Sequence, residues 1–201
     1  MKIHVLAVAT TAALAAAAPA MAETYNGPFV GVQAGWNEDD QSSTKTDVGR
    51  VDGAGKKDAV AVGFLAGYDY KVTPHIVIGA EAGMNFGIDD RFGGHTKETS
   101  YSINPKYSID LTARAGYLVD DATLLYVRGG YTNARVRAWM TDGPVAHGGD
   151  ENRDGWLVGG GVERAITSKV SARLEYRYSD LSEGHGKWDR HQVLLGAAYH
   201  F

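Results

Sequence analysis

The sequence predicts an all-β protein, an eight-stranded antiparallel up-and-down transmembrane β-barrel. Three observations carry that expectation. The chain ends on Gln192-Val-Leu-Leu-Gly-Ala-Ala-Tyr-His-Phe201, where Val193, Leu195, Ala197, Tyr199 and Phe201 share one strand face and Gln192, Gly196 and His200 the other. One face therefore suits lipid and the other water. Similar alternation recurs along a chain with 26 glycines and 11 tyrosines, and nothing after residue 22 has the continuous apolar run of a helical span. Short turns and long polar connections alternate strictly, as in barrels that cross an outer membrane.

Lys2, the apolar stretch Val5–Ala18 and the small-x-small pattern Ala20-Met-Ala22 form a secretory signal over residues 1–22, too short to span a bilayer. The mature chain, 23–201, has a length suited to one domain. A first strand is expected at about 28–37 and a long connection over 38–59. The second strand, about 60–71, presents Val60, Val62, Phe64, Ala66, Tyr68 and Tyr70 on its lipid face and reaches the tight turn Val72-Thr-Pro-His75. The third, 75–86, presents Ile76, Ile78, Ala80, Ala82, Met84 and Phe86, and a long connection covers 87–105. Strands at about 106–118 and 123–134 flank the turn Val119-Asp-Asp-Ala122 and lead into a long connection over 135–155. The seventh strand, 169–179, follows 156–166 after the turn Thr167-Ser168 and shows Val170, Ala172, Leu174, Tyr176 and Tyr178 outward. The last, 190–201, follows the connection 180–189. Strands of about 10–11 residues tilted about 45° suffice to cross the hydrocarbon layer.

Composition excludes several function classes. The chain has no cysteine, so there is no disulfide framework, thiolate metal site or lipid-anchored cysteine. Of 20 basic and 24 acidic residues, loss of residues 1–22 removes only Lys2, and the acidic balance argues against a nucleic-acid partner. With the N-terminus in the periplasm, Trp36, Phe86, Tyr107, Tyr131, Trp156 and Tyr178 fall near the outer rim. Tyr70, Tyr117, Tyr199 and Phe201 fall near the inner one, giving two aromatic girdles.

The inward face carries Glu81, Asp110, Arg114, Arg128, Glu163, Arg173, Glu175 and Arg177 among small residues such as Gly63, Gly67, Gly79, Gly83 and Gly116. Four arginines opposite four carboxylates form a charge ladder that can fill the narrow interior of an eight-stranded barrel. The competing reading is an ion-selective constriction.

Gly155-Trp-Leu-Val-Gly-Gly-Gly-Val-Glu163, Val170-Ser-Ala-Arg-Leu-Glu-Tyr-Arg-Tyr178, Gly27-Pro-Phe-Val-Gly-Val-Gln-Ala-Gly-Trp36 and the terminal Tyr-x-Phe give the chain a family likeness. It resembles the small opacity-protein-like, porin-family outer-membrane β-barrels of Gram-negative bacteria, with an OmpA-like eight-stranded barrel. The resemblance implies an integral outer-membrane protein and makes Tyr199 and Phe201 look like the assembly signal of such proteins. The expected partners are outer-membrane lipid and lipopolysaccharide together with the outer-membrane assembly machinery. A host or cell-surface ligand for the loops stays open, because function in this family sits in the loops.

Asp150-Glu-Asn152-Arg-Asp154-Gly155 begins like a calcium loop, but its twelfth position is Gly161 and a strand follows, so an acidic turn is expected and the metal candidate is weak. His185 and His191 flank the last connection without an evident third ligand, and Gly159-Gly-Gly161 lacks the helix of a phosphate cradle. His191, Ser179 or Ser182 and Glu183 supply the residue types of a hydrolase near one rim, but no local signature singles them out. No cofactor and no enzymatic activity are expected. The sequence reading is a barrel with a mainly structural, envelope-integrity role and narrow or no conductance; the alternatives are a small nonspecific porin or an adhesin acting through its loops.

Overall fold

A computed structural model describes residues 24–41, 44–46, 49–51, 55–88, 92–95, 99–142, 145–182 and 188–201. The leader prediction falls on residues 1–22, outside them. Eight strands form the barrel: β1 Gly27–Gln41, β2 Gly55–Lys71, β3 Ile76–Ile88, β4 Thr99–Asp120, β5 Thr123–Asp142, β6 Val145–Ala165, β7 Val170–Asp180 and β8 Trp188–His200. Each pairs antiparallel with its sequence neighbour, and β1 pairs with β8 from Phe29↔His200 to Gln41↔Trp188, which closes the sheet. An additional short strand, Phe92–His95, lies along β4 opposite Ile103–Ser100, and Thr44–Thr46 pairs with Gly49–Val51.

All eight expected strands are present, and three of them run well past their expected ends. β5 and β6 stay paired from Thr123↔Arg164 to Asp142↔Val145. The stretch 135–155 is therefore mostly a strand hairpin, not an open connection, and 150–155 is ladder where an acidic turn was expected. β4 likewise begins at Thr99, and its ladder with β5 shifts register between Pro105 and Tyr107. Proline has no N–H to donate, so the irregularity falls where pairing is weakest. Hairpin pairing satisfies backbone groups in water as well as in lipid, so polar composition alone does not end a strand.

Alternation fixes the two faces. Phe64 is 63% exposed, Leu195 65% and Val127 65%, while their neighbours Leu65, Leu194 and Arg128 are buried. The rings assigned to the girdles face outward at the two barrel ends, Trp36 and Trp156 at one and Tyr70, Tyr117, Tyr199 and Phe201 at the other. The interior is layered. Tyr25, Val77, Leu118, Ala122, Leu124, Tyr126 and Ala165 form an apolar floor at the short-turn end. Phe29, Leu65 and Ala198 add a second small cluster, and Ala134, Leu181 and Trp188 a third toward the long-connection end. The residues before β1 belong to the floor: the Tyr25 hydroxyl lies 3.0 Å from the carbonyls of both Ala122 and Glu163. Strand periodicity gives no hint of this, since Tyr25 precedes the first strand.

Candidate functional site

The middle of the lumen holds all eight predicted charged residues, each buried. Arg114 and Arg128 stand directly opposite each other in the β4–β5 ladder, an unfavourable pairing of like charges if nothing intervened. They diverge to different carboxylates. Arg114 forks onto Asp69, with Nε donating to Oδ1 at 2.7 Å and Nη2 to Oδ2, while its Nη1 reaches Glu163 at 2.9 Å. Arg128 Nη1 donates to Glu81 at 2.6 Å and lies 3.3 Å from Glu175. Arg173 Nη1 donates to Glu81 at 2.7 Å, and its Nε stands 3.7 Å from Glu163, its cross-strand neighbour. Arg177 holds Glu175 through Nε and Nη2 at 2.9 and 2.7 Å and Asp110 through Nη1 at 2.9 Å. Asn85 and Thr132 complete Asp110, and Gln33 donates to Asn85 at 2.6 Å.

Charge-assisted, partly forked bonds such as these offset the cost of taking ions out of water. Glycines give the long side chains their room. A methyl group on Gly196 would stand 3.0 Å from Cγ of Arg173, and one on Gly159 3.4 Å from Cγ of Arg128. This small-against-large fit is how a narrow barrel fills itself. Part of each fork stays open: Nε and Nη2 of both Arg128 and Arg173 are buried without a hydrogen-bond partner.

The network is larger than the eight residues read from the sequence. Asp69 is a fifth carboxylate, and alternation already implied it, since Tyr68 and Tyr70 on either side face outward. Higher up, Arg190 Nε and Trp188 Nε1 donate to Asp39 Oδ1 at 2.7 and 2.9 Å. Those residues sit in stretches expected to be connections or on a strand's first residue, so no face could be assigned to them. At the floor, Ser171 Oγ donates to Glu163 at 2.6 Å and lies 3.0 Å from His200 Nε2. The Glu163 carboxylate stands beside that same ring nitrogen, at 3.4 Å. Nucleophile activation needs the carboxylate behind the imidazole, on the other nitrogen, so this buried trio packs and pairs.

The other candidates come apart. Ser179 is buried in the lumen while His191, opposite Tyr178 in the ladder, faces outward with Nδ1 2.8 Å from the Tyr176 hydroxyl. Ser182 Oγ accepts the Trp188 N–H at 3.2 Å; Glu183 and His185 lie outside the described residues. Asn152 and Asp154 sit on β6 opposite Arg135 and Asn133, and Asp150, opposite Arg137, continues that extended strand instead of wrapping as a calcium loop does. Among the described residues, no three His, Cys, Asp or Glu side chains are placed to hold a metal. Asp154 instead accepts bonds from the Tyr131 hydroxyl and from Asn133 Nδ2 at 2.6 Å, which hold its carboxyl below the usual range. In the β4–β5 turn the Ala122 N–H, 2.8 Å from Asp120 Oδ1, does the same for that carboxyl. Tyr199 and Phe201 form an edge-to-face pair with centroids 5.1 Å apart, and the Phe201 N–H donates to the Pro28 carbonyl at 3.1 Å.

Residues 6–201 match the outer membrane protein β-barrel domain family. The 31 kDa outer-membrane immunogenic protein of Brucella melitensis is 26% identical over 92% of this chain and 87% of its own length. Outer membrane protein A of Escherichia coli O157:H7 is 26% identical across the whole chain, which spans 55% of that relative. Among solved structures, Neisserial surface protein A superposes with a TM-score of 0.57 at 16% identity, over 88% of this chain and 98% of that one. The attachment invasion locus protein Ail of Yersinia pestis gives 0.54 at 16% identity, over 88% of this chain and 99% of that one. At such identities the two structures speak to the fold.

Proposed function

The chain belongs to the outer membrane protein β-barrel domain family, and from that premise we propose that it is an envelope-integrity barrel with a lumen closed to solutes. Its long connections face outward and both termini lie in the periplasm of a Gram-negative bacterium, after removal of residues 1–22. One observation carries the reading: four buried arginines are tied to five buried carboxylates, Asp69, Glu81, Asp110, Glu163 and Glu175, across the middle of the barrel. A solute would have to break several charge-assisted bonds at once, each pair costing about 3–5 kcal/mol to leave half-made. A nonspecific porin needs a water-filled path, which larger barrels provide and eight strands do not. Lipopolysaccharide around the wall and the assembly machinery acting on Tyr199 and Phe201 are the partners this reading calls for. Single-channel recording of the refolded chain tests it: the expected trace shows no steady step, and sustained porin-like currents would overturn it.

A further inference from the structure

The chain enters β1 through Asn26-Gly27, a pair set between two buried rings. Tyr25 is anchored in the floor by its two carbonyl acceptors, and Phe29 is buried on the inner wall. Asn26 itself is exposed. Its Oδ1 accepts the Lys71 N–H at 3.3 Å, so a side-chain carbonyl takes the place of a backbone acceptor where the β1–β2 ladder ends. Among the described residues its Nδ2 has no acceptor. Gly27 has a φ of 142°, which residues with a Cβ rarely adopt, so the fold itself keeps a glycine after this asparagine.

We propose that Asn26 is a site of spontaneous deamidation, and that its isoaspartyl product loosens the floor through Tyr25. The Gly27 backbone nitrogen, after losing its proton to solvent base, attacks Cγ of Asn26. The new C–N bond closes an imide ring, and the Cγ–Nδ2 bond breaks with release of ammonia. Water then adds to either imide carbonyl and reopens the ring, leaving an aspartyl or an isoaspartyl linkage. Amide and water thus become carboxylic acid and ammonia, with no change of oxidation state. Residue 27 has no Cβ to screen the attacking nitrogen, and the Lys71 N–H already donates to the oxygen on which negative charge develops. Each of the other asparagines lacks one of these conditions. Asn37 and Asn85 are buried, and Asn104 precedes Pro105, which has no N–H to attack. Asn133 holds Asp154 through its Nδ2, and Asn152 precedes the bulky Arg153 inside the β5–β6 ladder. The isoaspartyl linkage puts one more carbon into the main chain between Tyr25 and β1, so the floor residue loses its fixed distance from the wall.

The full refolded chain in phosphatidylcholine vesicles is aged in mildly alkaline buffer made with ¹⁸O-enriched water, beside the same chain unfolded in urea, and both are read by peptide mass spectrometry. The expected result is ¹⁸O-labelled deamidation at Asn26 in the native barrel, isoaspartyl in excess, with the other asparagines intact. Its rate should lie within about tenfold of that in urea, a factor equivalent to about 1.4 kcal/mol of conformational restraint. Asn26→Gln keeps an amide but needs a larger ring, and should show no product on the same timescale. In aged barrels the Tyr25 ring resonances should shift, whereas Asn26→Asp, which adds the charge without the extra main-chain carbon, should leave them in place. If Asn26 stays intact in the native barrel while the unfolded chain reacts, or if another asparagine reacts faster in the native barrel, the site is overturned. Tyr25 resonances unmoved by the isoaspartyl linkage would overturn the coupling to the floor.

Discussion

Arg173 bonds to Glu81 and stands near Glu163, yet both carboxylates keep other arginines, Arg128 at 2.6 Å and Arg114 at 2.9 Å. Arg173→Leu should therefore cost about 3 kcal/mol, the lower end of the range for breaking a buried pair. Arg164 makes a pair of the opposite kind, 3.8 Å from Asp120 with 31% and 54% of the two side chains exposed. Solvent screens that pair, and Arg164→Leu should cost under about 1 kcal/mol. Urea unfolding of the two variants in vesicles separates them, and equal losses would remove the buried ladder as the source of stability.

The β5–β6 hairpin shows what was legible in the sequence and what was not. Period-two alternation placed Arg128 and Glu163 inward and Tyr131 and Trp156 outward, and the structure agrees. The same rule carries less signal above the rim, where no lipid demands one apolar face, so 135–155 read as an open connection. Asp39 and Arg190 were lost in the same way, and Tyr25 because it precedes the first strand. The hairpin's own rim contact is testable by pH. Asp154 is held below its ordinary range by Tyr131 and Asn133, so its contribution is present at neutral pH and is lost as pH falls below about 4 and through its folded value. Protection of the amides near Asn133 and Asp154, taken relative to the intrinsic exchange rate at each pH, should fall there in the wild type and change little in Asp154→Asn. At the other end of the chain, β8 closes onto β1, and the Phe201 N–H fixes the last residue to Pro28. Deleting Phe201 should lower the yield of inserted barrel in cells, with Phe201→Trp restoring it; full insertion of the deletion would remove the terminal aromatic as an assembly signal.

Buried side chains fill the tube in layers. Proteolysis concentrates in long outward connections and not in tight turns, so with the proposed orientation protease added to intact cells should cut within 38–59 or 135–155 and spare 72–75; cleavage at the short turns would reverse the orientation. The layers themselves make a sharper demand. The charged middle rests on an apolar floor that Tyr25 completes from outside the strands, bonded to two carbonyls on different elements. If the proposed closed lumen holds, removing one layer leaves the other closed. Arg173→Ser and Tyr25→Ala should each stay electrically silent in single-channel recordings, because an eight-stranded wall leaves an interior only as wide as its own side chains. Combining Tyr25→Ala with Arg173→Ser should open both layers at once, above all beside Gly196, where a small residue already faces the Arg173 stem. The double variant should then show brief steps of conductance that neither single change produces. Steps in either single variant would mean that one layer alone stops the barrel.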